Sequence, residues 1–189
     1  MPKGSREEMG ERGRALEAAF YRSDPDPWRE LRRSEAIAGE AIAEASGLGD
    51  RALAGRLASL GIRAETLAAL TLLPLVEVAW ADGKMDAREK AAVLSGAEST
   101  GIDAENPSHG LLRLWLEDRP APDLTSIWRE FIAAVCRELA PDERRRLRAN
   151  VVGRARRVAE AAGGILGLGS HVSAEEEAVL ADLERAFRV

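Results

Sequence analysis

The chain predicts an all-α fold, and three observations predict it. Aromatic residues make up only 4% of the 189 residues, while the good helix formers Ala, Leu, Arg and Glu are abundant. No segment alternates apolar and polar residues as a half-buried strand does. Helix start and stop signals recur along the whole length.

Ser5 with Glu8 forms a capping box that opens a first helix over about 6–21. Asp24-Pro25-Asp26-Pro27 interrupts it and starts the second, because Asp caps a helix and Pro suits its first turn. Gly47 to Gly49 end that helix. Asp50 opens a short third, which Gly61 terminates in the left-handed conformation. The fourth, about 65–81, is the most apolar: Leu67, Leu70, Leu73, Val76 and Trp80 keep helical spacing while Leu72, Leu75 and Val78 fill other faces. A helix apolar around most of its circumference belongs at the centre of a bundle, and Pro74 should bend it. Asp86 with Glu89 opens the fifth, ending near Thr100 and Gly101. Asn106-Pro107 starts the sixth; Pro120 and Pro122 separate it from the seventh, which carries Ile127, Trp128, Phe131, Ile132, Val135 and Leu139. Pro141 opens the eighth, reaching Gly163-Gly164, and Ser173 with Glu176 opens the last. The sum is a bundle of about nine helices, with residues 1–60 as a helical extension packed on a bundle of residues 61–189.

The 46% apolar and 31% charged composition supports a buried core and a hydrated surface and argues against disorder. A net charge of −5 argues against a surface built for nucleic acid. A single cysteine, Cys136, excludes an intramolecular disulfide framework and a multi-cysteine zinc site, and His109 and His171 alone exclude a histidine-rich one. Residues 1–20 carry Glu7, Glu8 and Glu11 and no apolar signal region. The longest strongly apolar stretch, Thr66 to Val76, falls short of the roughly 20 residues that cross a bilayer. A cytoplasmic location is the expectation.

The sharpest local pattern is Asp82-Gly83-Lys84-Met85-Asp86-Ala87-Arg88-Glu89. It matches the second half of a calcium loop: a ligand before the turn glycine, an apolar position, a ninth-position Asp and a final Glu. Val78 and Trp80 occupy the first two ligand positions, so an ordinary EF-hand is excluded. Asp82, Asp86 and Glu89, with Glu77 before the loop, are candidate oxygen ligands for Ca²⁺ or Mg²⁺. The competing reading is structural: Gly83 makes the turn, Asp86 caps and Glu89 completes the box. Asp86-Ala87-Arg88-Glu89 before Ala92-Val93-Leu94 also echoes Ser173-Ala174-Glu175-Glu176 before Ala178-Val179-Leu180. The echo suggests two related helix–turn–helix units, although a shared start signal produces much of it.

Residues 72–94, LLPLVEVAWADGKMDAREKAAVL, resemble the tellurite-resistance TerB-like family at Ala79, Ala81, Asp82, Gly83, Met85 and Glu89. The resemblance covers roughly residues 65–101; Leu168-Gly169-Ser170 stands where a second acidic turn would be. It implies an all-helical bundle, a cytoplasmic role in stress or tellurite resistance, and divalent-cation binding near the Asp-Gly turn. Residues 11–20, with Arg29 to Arg33, are similar to the start of the inhibitory zeta subunits of bacterial ATP synthases.

Arg145, Arg148 and Arg156 fall near one face of the eighth helix, a candidate surface for an acidic protein partner, a phosphate-bearing ligand or an anionic membrane; a solvated face of ion pairs is the simpler reading. No aromatic residues interleave with these arginines, as single-strand recognition would need. The 163–170 glycine-rich run follows a helix rather than a strand and lacks a Lys-Ser or Lys-Thr pair, so it reads as a connector. Cys136, Trp80, Trp115 and Trp128 read as core, and no nucleophile motif is present. The expectation is a non-catalytic cytosolic module that binds a divalent cation weakly at the Asp82–Glu89 turn and docks with other proteins. The alternatives are a protein-interaction module without metal, an enzyme with carboxylates of unlike environment in a pocket near the acidic turn, or a regulatory protein at an anionic membrane or ATP synthase.

Overall fold

The computed structural model describes residues 27–47, 49–162 and 172–188, and among these the regular structure is entirely helical. Helix α1 spans Pro27–Ser46 and gives way at Gly47, whose φ of 69° is easy only for glycine. Helix α2, Arg51–Ser59, starts where Asp50 accepts the Leu53 N–H at 3.0 Å, and Gly61 turns the chain at φ 84°. The expected first helix, its Ser5–Glu8 box, the zeta-like 11–20 segment, the 163–170 connector and His171 lie outside the described residues.

One helix expected over 65–81 is two. A 3₁₀ helix, Ala64–Thr71, stops at Leu72, and α3, Leu73–Ala79, begins with Pro74 in its first turn. Pro74 cannot donate to the preceding turn and its ring crowds the carbonyl there, so the chain restarts rather than bends. The other expectation holds. Leu73, Pro74, Leu75, Val76, Val78 and Ala79 are all buried, and α3 packs against four later helices and the 3₁₀ helix.

The helices that follow are α4 (Ala87–Glu98), α5 (Pro107–Glu117), α6 (Pro122–Glu138), α7 (Pro141–Ala162) and α8 (Ala174–Arg185). Each begins near its expected signal. Asn106 caps α5 through the Ser108 N–H, and Pro stands in the first turn of both α5 and α6. Helices α3, α4, α7 and α8 share most of the packing, while α5 lies on the 3₁₀ helix and α6 on α2. Trp115, Trp128 and Cys136 are core residues, and Trp128 meets Phe187 edge-on at 6.2 Å between ring centroids. Burial pushes the Cys136 thiol above its ordinary pKa.

Contacts divide the chain into residues 1–37 and a compact unit, 38–189. Residues 27–37 of the first form the opening turns of α1. Within the second, Ile42, Leu53, Ala54, Leu57 and Ala58 join the same core as α3, so residues 38–60 belong to the bundle's own interior. Gly39 sits where an added Cβ would lie 3.1 Å from the Gly55 Cα, so α1 and α2 cross at a backbone-to-backbone approach.

Candidate functional site

The acidic turn joins α3 to α4. The Trp80 N–H closes the end of α3 on the Val76 carbonyl, and its indole Nε1–H donates to the Trp115 carbonyl at 2.9 Å, tying the turn to α5. Gly83 takes φ 83°, and Met85 packs on the core, as the apolar position of the pattern requires.

Each carboxylate of the turn is engaged with the backbone. Asp82 Oδ1 accepts the Lys84 N–H at 2.8 Å. Asp86 Oδ1 accepts the Arg88 and Glu89 N–H groups at 2.7 and 2.8 Å, and Glu89 Oε2 accepts the Asp86 N–H at 2.7 Å, a complete capping box. Glu77 is not part of this group: it accepts the Thr125 hydroxyl at 2.6 Å and lines a separate groove with Arg119 and Arg129. Among the described residues no three acidic, histidine or cysteine side chains converge as metal ligands. The side chains present therefore do not form a ready cage for the cation that the family resemblance implies.

A residue outside the expected set does reach this corner. At the start of α8, Ser173 Oγ accepts the Glu176 N–H and Glu176 Oε2 accepts the Ser173 N–H at 2.6 Å, a second capping box. Glu89 and Glu176 are only 8% and 6% exposed, and Glu176 lies close enough to act on Glu89. Burial pushes the Glu89 carboxyl above its ordinary pKa; the hydrogen bond from Asp86 opposes this, and the charges of Asp86, Asp82 and Glu176 add to it. The echo between 86–89 and 173–176 was the signal for this meeting. What joins the two boxes is the folding of α7 and α8 back along α3 and α4.

The arginine face resolves into ion pairs. Arg145 pairs with Asp142, Arg148 Nη2 lies 3.4 Å from Glu184, and Arg156 makes two hydrogen bonds to Glu177 at 3.0 and 3.2 Å. The paired Glu177 and Glu184 both belong to α8, so this face of α7 is laced to its neighbour by half-exposed bridges. Sequence reading singled out these three and did not single out Arg154 and Arg157, which form no ion pair among the described residues. Their signal was positional: Arg154 lies between the buried Val151 and Val158 on the helical lattice, at the edge of the apolar stripe.

No helix among the described residues is long and apolar enough to cross a membrane. No protein-family model matches the chain, nor does any curated protein or solved structure.

Proposed function

We propose that the chain is a non-catalytic helical module of the TerB-like type that docks other proteins at its acidic corner. The observation that carries this reading is a pair of capping boxes whose buried acids, Glu89 and Glu176, are near enough to feel each other's charge, together with the exposed Asp82 and Asp86. Caps hold the carboxylates in place, and α8 adds Glu175 and Glu177 in its first turn. Fixed like charges make a steady negative surface, which steers a cationic segment of a partner and selects against acidic ones. The cytoplasmic setting and the link to stress or tellurite resistance rest on the resemblance of residues 72–94.

Affinity capture from native cells with the wild type and with Asp82→Lys/Glu175→Lys tests it. Neither side chain caps a helix, so the fold should survive the exchange. A partner held by the wild type, released by salt and lost by the variant supports docking. The same proteins in the same amounts from both would contradict it.

A second reading, weak Ca²⁺ or Mg²⁺ binding at this corner, is favoured by the charges of Asp86, Asp82 and Glu176, which add to burial in raising the Glu89 pKa. Calorimetric titration of either ion into the wild type and into Asp82→Asn/Glu89→Gln decides it. Heat from the wild type alone supports binding, and none from the wild type removes the reading.

A further inference from the structure

The arginines of α7 divide by whether an acid answers them. Arg154 and Arg157, one turn apart, face α4 rather than α8 and line a cavity of about 300 Å³ with Ser95, Gly96, Ser99 and Val158. Among the described residues neither guanidinium takes part in an ion pair, and the Arg154 Nε–H, hidden from solvent, reaches no acceptor. Burial and the charge of Arg157 both lower the Arg154 pKa from its ordinary value. A half-buried guanidinium whose chief charged neighbour is a second guanidinium lacks its counter-charge.

We propose that Arg154 and Arg157 form, with the Ser95 hydroxyl, a binding site for a phosphate group, either inorganic phosphate or the phosphate of a small phosphorylated molecule. Charge and donor number select this chemistry. Two guanidiniums supply two positive charges and planar forks suited to oxyanions, and a phosphate offers more acceptor oxygens than a carboxylate can. Ser95 Oγ–H adds a donor from α4, whereas Ser99 already donates to the Gly96 carbonyl at 2.7 Å. Gly96 lets this wall, α4, sit close against α3: a Cβ there would lie 2.7 Å from the buried Leu75 Cδ2. The volume is at the small end for ligand sites, enough for a phosphate with a short organic group. The proposal is independent of docking at the acidic corner.

The test is to follow the Arg154 Nε–H resonance in ¹H–¹⁵N spectra of the full chain while inorganic phosphate, glycerol phosphate, acetate or chloride is added at constant ionic strength. A saturable shift with the phosphates and not with acetate or chloride is expected. Tighter binding of glycerol phosphate than of inorganic phosphate assigns the ligand to a phosphorylated molecule, and the reverse assigns it to the free ion. Arg157→Gln should weaken binding by about tenfold or more, the loss of a charge-assisted hydrogen bond. Arg148→Gln, which breaks a pair on the α8 side, should leave the shift unchanged. Equal response to phosphate and chloride, a response to acetate as strong as to phosphate, or full binding by Arg157→Gln would overturn the proposal. The wild-type titrations decide the matter even if a variant fails to fold.

Discussion

The acidic corner and the arginine-lined cavity each gather charges of one sign, yet they differ in how those charges are satisfied. At the corner, Asp82, Asp86, Glu89 and Glu176 each accept at least one backbone N–H, so Asp86, Glu89 and Glu176 belong to the starts of helices and Asp82 to the turn before one. Beside the cavity, the Arg154 Nε–H has no acceptor among the described residues and Arg157 adds repulsion. Both regions rest on α4, which contributes its N-terminus to one and its Ser95–Ser99 turn to the other. Clustered charge alone therefore says little about ligands. The unmet hydrogen-bonding capacity of a cluster says much more.

The strongest way to break the comparison is to remove what the two regions share. Leu75, fully buried in α3, supports α4 beside Gly96, and Leu75→Ala should cost about 2–5 kcal/mol in urea unfolding. A loss under 1 kcal/mol, roughly that of a surface change, would mean the two regions do not depend on a common core. Asp86→Ala should come next, at about 1–2 kcal/mol, because two backbone donors of α4 lose their acceptor; Asp86→Asn, which still caps, should lose much less. Arg156→Ala, breaking an exposed bridge, should fall within about 1 kcal/mol and shrink further in high salt.

The smallest effect is a pH dependence at the corner. The folded-state pKa of Glu89 is raised above its unfolded value, so its contribution is fully present below the unfolded pKa and is lost as pH rises through the folded one. Glu89→Gln, which keeps the capping box, should remove this component of the decline. Glu176→Gln should bring the Glu89 pKa partway back, as carboxyl NMR titration would show. An unchanged Glu89 titration would separate the two boxes electrostatically.

Much of the architecture was legible because helix ends are local chemistry. Asp50, Asp86, Asn106 and Ser173 cap where their side chains announced, and Gly47, Gly61 and Gly101 adopt the positive φ expected of terminators. The break at Leu72 was not, because apolar spacing continues through it and only Pro74 reports the restart. The site was half legible. Asp82, Asp86 and Glu89 share one turn, but which way Glu77 points depends on α6 and Thr125, and Glu176 arrives from 87 residues beyond Glu89. Likewise, Arg156 and Arg157 are adjacent in sequence, yet one meets Glu177 and the other turns to α4. Such divisions are tertiary, made by which helix lies opposite.

Equilibrium urea unfolding of Asp86→Ala and Arg154→Met, measured side by side at neutral pH, tests most directly whether satisfaction distinguishes the two regions. Asp86→Ala should lose about 1–2 kcal/mol, while Arg154→Met, which removes a half-buried charge and keeps much of its stem's packing, should match or exceed the wild type. If Arg154→Met loses as much as Asp86→Ala, its guanidinium is holding the fold together, and the contrast between the corner and the cavity does not exist.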